Sequence, residues 1–160
     1  MDKEKAMGII EEELSNAAFG EDFDHSALSD ALKAFGVDTE TFSAIESADQ
    51  LKDFAAAVAY YVEGKKRFFK TAIAQATKHI VKGDYIFCPN IKDESELGFA
   101  RAETVGLELP EGWEAFFDYE ALGAEVLANT NGYITDYGFF MLTDKNTEDE
   151  YWELPDVEIY

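Results

Sequence analysis

The chain is 160 residues long and carries 34 acidic against 13 basic residues, a formal net charge of −21. Because 47% of the residues are hydrophobic and 14% are aromatic, the composition argues against disorder and fits one large domain or two small ones. A chain this acidic is repelled by nucleic-acid phosphates and anionic lipid headgroups, so we expect no direct nucleic-acid or membrane binding.

Targeting signals and cysteine usage point to the cytoplasm. The charged N-terminus, Asp2 to Lys5, lacks the apolar core of a signal peptide. The longest apolar stretch, residues 54–62, is about half the length of a membrane span. The single cysteine, Cys88, cannot form an internal disulfide and suits a reducing compartment. We therefore expect a soluble cytoplasmic protein.

Residues 1–82 have the periodicity of helices, because apolar side chains recur every three to four positions. We interpret Gly20 and Gly36 as helix ends, Asp24 or Ser26 as the cap of a short helix, and Thr39 as the cap of the next. The apolar positions are Met7, Ile10, Leu14 and Ala17, then Leu51, Phe54, Ala55, Val58 and Val62, and finally Phe69, Ala72, Ile73, Ala76 and Ile80.

The pattern changes at Gly83, where we place a domain boundary. A short strand is predicted over residues 84–89 and a helix from Asp93 to about Val105. We thus expect a helical region over residues 1–82 and an acidic α+β domain with a C-terminal tail over residues 83–160. The fold class is α+β, with a helical N-terminal region followed by a small acidic C-terminal domain containing a short antiparallel sheet and helices.

Three elements are predicted after residue 105. Pro110-Glu111-Gly112 opens a helix. Gly123 either interrupts this helix or lies within it. Residues 131–142 read as a hairpin of two strands around an Asp-Tyr-Gly turn, and the acidic tail after Thr143 alternates with apolar residues, as an edge strand does. The predicted helix carries the apolar residues Trp113, Phe117, Leu122, Val126 and Leu127.

No catalytic or metal-binding arrangement is recognisable in the sequence. His25 falls in a cap-like turn and His79 near the apolar face of its helix, so we interpret both as structural. A calcium loop beginning at Asp22 fails, because Ala27 and Lys33 stand where that loop needs glycine and glutamate. We expect no catalysed reaction, no metal and no cofactor.

Acidic residues concentrate in the second half of the chain. From Glu103 to Tyr160 there are 15 acidic residues and one base, Lys145, together with both tryptophans. Self-repulsion of this size destabilises a compact state. General solubility or salt adaptation would spread the acid over the whole surface. The segregation therefore indicates a negative surface that faces a basic partner.

Residues 107–123 and the aromatic hairpin at 132–142 resemble the C-terminal part of ArdA-type antirestriction proteins, which are acidic DNA mimics. The most specific shared feature is the block Asp-Tyr-Glu-Ala-Leu-Gly at residues 118–123, and Gly83-Asp84-Tyr85 looks like an upstream element of the family. The resemblance covers about residues 83–142; the family's strand-rich N-terminal domain has no counterpart here. It implies a DNA-mimic inhibitor that occupies the basic groove of a type I restriction–modification enzyme, usually as a dimer.

The spacing of the acids is compatible with this function. Steps of three, four and seven residues place Glu111, Glu114, Asp118 and Glu125 on one face of the predicted helix, with neighbours roughly 4.5 to 6 Å apart along its axis. Duplex DNA carries a negative charge about every 1.7 Å of axis, and a groove that neutralises phosphates also accepts carboxylates. The full predicted partner-binding set is Glu103, Glu108, Glu111, Glu114, Asp118, Glu120, Glu125, Asp136, Asp144, Glu148, Asp149 and Glu150.

Two alternatives remain open on the sequence alone. The same mimicry would serve against a CRISPR effector or a nucleoid protein, because those proteins also present basic grooves. Alternatively, the helical half is a scaffold or adaptor that binds a partner through its apolar face, and the acid serves solubility. The one basic cluster, Lys65 to Lys70, is interpreted as a solvated helix start.

Overall fold

The computed structural model describes residues 2–37, 39–45 and 47–143. The chain divides into two compact units between Asp84 and Tyr85, next to the boundary that the sequence places near Gly83. We call the residues up to Asp84 the helical unit and those from Tyr85 the sheet unit.

All regular structure in the described part of the helical unit is helical, as predicted. Asp24 caps α2 by accepting the N–H of Ala27 at 3.0 Å, and Gly36 ends it in the left-handed conformation. The helices are α1 Lys3–Ala18, α2 His25–Phe35, α3 Thr39–Phe42, α4 Ala48–Ala59 with a π-helical turn Tyr60–Gly64, and α5 Phe69–Lys82.

One predicted helix start in this unit is wrong. Thr39 begins the short α3 and does not cap the long helix that follows. Ser47 caps α4 instead, through a reciprocal box in which its side chain accepts the N–H of Gln50 and the Gln50 side chain accepts the N–H of Ser47. A Ser three residues before Gln, ahead of an apolar run, is the usual signature of such a start.

The core of the helical unit lies around α4, which is buried almost continuously from Phe54 to Ala59. Helix α1 packs its Ile10 and Leu14 side against α2 and α4, and α5 packs against α4 through Ile73 and its neighbours. Small side chains along α4 allow the flanking helices to approach closely. The apolar faces that the periodicity identifies are therefore covered by other helices of the same unit.

The sheet unit joins a three-stranded antiparallel sheet to two helices. Its elements are β1 Tyr85–Cys88, α6 Glu94–Thr104, a 3₁₀ turn Glu114–Phe116, α7 Tyr119–Asn129, β2 Tyr133–Thr135 and β3 Gly138–Leu142. Strand β3 is central, in the order β1-β3-β2, and Tyr133 lies opposite Phe140 in the predicted hairpin. The α+β fold class, the hairpin, β1 and α6 are confirmed.

Helices α6 and α7 meet backbone to backbone at two glycines. A Cβ atom on Gly98 would overlap the carbonyl oxygen of Tyr119, and one on Gly123 would overlap the carbonyl oxygen of Glu94. Gly123 thus does not interrupt α7 but permits its contact with α6. Below this helix pair lies an apolar core of Cys88, Ile91, Leu97, Ala100, Val126, Phe139 and Met141.

Two further points concern the limits of the described chain. The edge strand predicted in the tail after Thr143 lies outside the described residues. Within the described residues, none of the helices combines the length and the apolar character needed to cross a membrane.

Candidate partner-binding surface

Three of the predicted acids, Glu108, Glu111 and Glu114, lie on the connection between α6 and α7. Helix α6 ends at Gly106, whose φ is +70°. There the N–H of Gly106 donates to Glu103 O at 3.1 Å and the N–H of Leu107 donates to Ala102 O at 2.9 Å. This double closure is the Schellman arrangement, which stops a helix sharply. The chain therefore leaves α6 in a defined direction before the acidic segment begins.

The helix predicted to run from Pro110 to Leu127 is wrong in its first half. Gly112 has a φ of +85° in a turn that the Trp113 N–H closes on Pro110 O at 3.0 Å. Phe117 is extended, and Asp118 then caps α7 by accepting the N–H of Ala121 at 2.9 Å. A left-handed glycine and an extended residue both break a helix, and the Asp118 cap starts a new one.

The single acidic helix face predicted for residues 111–125 is consequently wrong as well. Glu111 lies in the turn, Glu114 in the 3₁₀ segment, Asp118 at the cap and Glu125 within α7. Only Asp118 and Glu125 share one side of α7, seven residues or about 10.5 Å apart along the axis.

The predicted acids are nevertheless all on the surface wherever the structure describes them. Residues 85–143 contain 11 acidic residues against two bases, Lys92 and Arg101, and no base follows until after Thr143. Asp144, Glu148, Asp149 and Glu150 lie outside the described residues. The exposed acids of the predicted set are Glu103, Glu108, Glu111, Glu114, Asp118, Glu120, Glu125 and Asp136.

Sequence reasoning missed two acids that the fold brings to this surface. Asp93 and Glu94 at the start of α6 line, with Glu120 of α7, an open cavity of about 470 Å³. Lys92 also lines it. Because the glycine contact sets the N-termini of the two helices side by side, acids of both first turns converge. Asp93 was recognisable as a helix start, but its neighbour across the helix pair was not.

Aromatic side chains accompany the acids. Trp113 is 63% exposed and Phe116 is 85% exposed, and the prediction that one helix carries Trp113 together with Val126 is wrong, because α7 begins only at Tyr119. Phe117 is half-buried; its ring lies 4.7 Å from that of Tyr119, which in turn lies 5.4 Å from the ring of Phe99. The signal that was available is Gly112, a residue that favours a turn over a helix interior.

The remaining candidate groups are occupied by structural contacts. His79 is a buried helix residue, as predicted, with its Nδ1 2.8 Å from Asp84 Oδ1. His25 begins α2, and its Nε2 lies 2.8 Å from Ile45 O. Burial raises the pKa of the Cys88 thiol to about 12. Among the described residues, no group of three or more His, Cys, Asp or Glu side chains is placed to hold a metal ion.

No family model, curated protein or solved structure matches this chain. The feature of the described residues that bears on function is the set of exposed carboxylates between residues 102 and 143, a stretch without Lys or Arg, on backbone that caps and turns hold in place. Such a surface attracts basic grooves at long range and fixes the positions of its charges before contact.

Proposed function

We propose that this protein is a DNA mimic that occupies the basic DNA-binding groove of a defence nuclease, with a type I restriction–modification enzyme as the first candidate target. The observation that carries the proposal is the exposed acid of the sheet unit, together with the absence of any Lys or Arg in the sequence between residues 102 and 143. The protein acts by binding and catalyses no reaction.

The charge density of the surface supports this mechanism. A groove that binds duplex DNA neutralises several phosphates and releases their counterions. Carboxylates held at fixed positions engage the same cations. The capped start of α7 and the sharp end of α6 hold the connection that carries Glu108, Glu111 and Glu114. Holding charges in place before binding reduces the ordering entropy that association costs.

The packing of the helical unit favours mimicry over the adaptor alternative. An adaptor of that kind would offer the apolar faces of its helices to a partner. Here Ile10 of α1, Phe54 of α4 and Ile73 of α5 are fully buried within the unit. A CRISPR effector or a nucleoid protein as target would leave the mechanism unchanged, and a panel of purified targets separates these cases.

The test is a DNA-cleavage assay with a purified type I restriction enzyme, in which this protein is titrated at low and at near-physiological salt. We expect dose-dependent protection that weakens as salt rises, because groove binding by charge loses affinity steeply with ionic strength. Protection that is equal at both salt concentrations would contradict electrostatic mimicry. An absence of protection at either would remove this enzyme as the target.

A further inference from the structure

Exposed apolar side chains in the sheet unit gather on the same stretch as the acids. Among the large apolar residues that the structure describes as exposed, five lie between residues 99 and 116: Phe99, Val105, Leu107, Trp113 and Phe116. Large apolar side chains that stay exposed in such number within 18 residues are unusual for a surface without a partner. A groove that recognises only phosphates has no use for such side chains.

The two most exposed rings of the sheet unit, Trp113 and Phe116, stand beside two carboxylates in a chain of tight turns. The N–H of Trp113 donates to Pro110 O, the N–H of Phe116 to Trp113 O at 2.9 Å, and the N–H of Phe117 to Glu114 O at 3.3 Å. In backbone with such bonds, residues three apart lie on one side, roughly 6 Å from each other. Trp113 and Phe116 therefore share one side, with Glu114 between them in the chain and Glu111 in the turn that precedes them.

This alternation of ring and negative charge matches an unpaired nucleic-acid strand better than a duplex. In a duplex the bases are stacked inside and the outer surface presents phosphates. In an unpaired strand every phosphate stands next to a base whose flat face is accessible. Proteins that bind single strands accordingly combine a basic groove with aromatic side chains on which bases stack.

We propose that residues 111–117, which we call the aromatic–acidic segment, imitate an unpaired strand, with Trp113 and Phe116 in place of bases and Glu111 and Glu114 in place of phosphates. The partner is then a protein with a single-strand-binding groove, basic and lined with aromatic rings. This inference rests on the proposed mimicry and specifies the kind of groove. Binding buries two rings that are exposed in the free protein.

The test compares the displacement of two labelled DNA probes by the full-length protein. One probe is a short oligothymidylate bound to a single-stranded-DNA-binding protein of the OB-fold type, and the other is a duplex bound to a type I restriction enzyme. We expect the wild type to displace the oligothymidylate. The double variant Trp113→Ala/Phe116→Ala should need about tenfold more protein or higher, since base–aromatic stacking of two rings is lost, while displacement of the duplex changes much less.

Matched variants separate stacking from general effects. Phe68 is 87% exposed in the helical unit but follows the bases Lys66 and Arg67, so Phe68→Ala should leave both displacements unchanged. Trp113→Phe keeps a flat ring and should retain most of the oligothymidylate displacement. This variant also keeps the test valid if the double alanine variant fails to fold, which far-ultraviolet circular dichroism shows.

The outcomes distinguish the two proposals. Displacement of the duplex alone would overturn the single-strand inference and leave the proposed function standing. Displacement of the oligothymidylate alone would support the inference and reject the type I enzyme as target. Displacement of neither probe would overturn the single-strand inference and remove the type I enzyme as target. Oligothymidylate displacement that the Trp113→Ala/Phe116→Ala variant shares with the wild type would overturn the role assigned to the rings.

Discussion

The helical unit carries 16 acidic and 10 basic residues, whereas the sheet unit carries 18 acidic and 3 basic ones. The helical unit also buries its periodic apolar residues in one core, while the sheet unit leaves rings such as Trp113 and Phe116 in solvent beside its acids. One unit thus has the balanced surface of an ordinary folded domain. The other combines a large excess of negative charge with exposed rings beside its acids, and a basic partner would relieve the self-repulsion.

The bases of the helical unit show the same contrast. Lys65, Lys66 and Arg67 are exposed just before α5, in the position predicted for a solvated helix start. Along α5, Lys70, Lys78 and Lys82 line a cavity of about 570 Å³. Bases as well as acids therefore lie on the surface of this unit, and Lys82 Nζ lies 3.5 Å from Asp84 Oδ2.

Charge reversal in the sheet unit should reduce inhibition more than any other exchange. The triple variant Glu111→Lys, Glu114→Lys and Glu125→Lys places cations where we propose that the partner has cations. Like charges brought together across an interface cost several kcal/mol, so we expect inhibition in the cleavage assay to fall by at least about tenfold. Asp118 is left intact because it also caps α7.

The matched control reverses three exposed acids of the helical unit. The triple variant Glu11→Lys, Glu12→Lys and Glu21→Lys changes the net charge equally and should inhibit nearly as well as the wild type. If the two triple variants lose inhibition to the same extent, only the overall charge matters and the proposed surface is wrong.

Glycine-to-alanine exchange should act with opposite sign in the two units. Gly123→Ala drives a methyl group into the carbonyl of Glu94, where backbone cannot move aside, so we expect a loss of about 1 to 3 kcal/mol in unfolding free energy. Gly8 in α1 has open space around it, and Gly8→Ala should add about 0.5 to 1 kcal/mol through helix propensity. Urea unfolding followed by circular dichroism measures both. A stable Gly123→Ala variant would mean that α6 and α7 lie further apart.

Exchanges at the caps of α2 and α7 separate the effect of a carboxylate's charge on inhibition from its effect on helix stability. Asp118→Ala should destabilise the sheet unit by about 1 kcal/mol, because the N–H of Ala121 loses its acceptor. Asp118→Asn keeps an acceptor and should cost less. The same pair of exchanges at Asp24, the cap of α2, should behave alike in thermal unfolding. However, only the two exchanges at Asp118 should weaken inhibition, because both remove its negative charge; equal inhibition by all four variants would remove Asp118 from the binding surface.

The extent to which sequence predicts this fold follows from how local each signal is. Apolar periodicity and the helix-ending Gly36 predict the helices of the helical unit. Turn residues predict the hairpin. These signals lie within a few residues of the element they set. The start of α7 was missed because Trp113 and Phe117 fall at helical spacing by chance, while Gly112 and the Asp118 cap override them.

The sequence predicts which acids lie on the candidate surface but not how they are placed relative to one another. That Glu111 or Glu125 is exposed follows from residue type alone. Their relative placement depends on where α7 begins, and the convergence of Asp93 with Glu120 depends on the contact at Gly98 and Gly123. Contacts between distant residues leave no periodic trace in one sequence. The exposure of Trp113 and Phe116 was not predicted, because the sequence pattern favours a helix there that the structure does not contain.

The least perturbing way to distinguish the units is the pH dependence of stability near Tyr61. Burial first, and the carboxylate of Asp84 second, raise the pKa of Tyr61 from 10.0 to about 12, against a smaller lowering by Arg67. Above pH 10 the unfolded chain loses the phenol proton of Tyr61, whereas the folded protein keeps it up to about pH 12. The stabilisation associated with the neutral phenol is therefore complete below pH 10 and is lost as the pH rises toward 12. Between pH 8 and pH 10.5 the wild type should lose up to about 1 kcal/mol more unfolding free energy than Tyr61→Phe, measured by urea unfolding at both pH values. The phenylalanine ring can still stack on His79, so identical losses in the two proteins would show that the Tyr61 hydroxyl titrates normally and that the helical unit is open to water at this point.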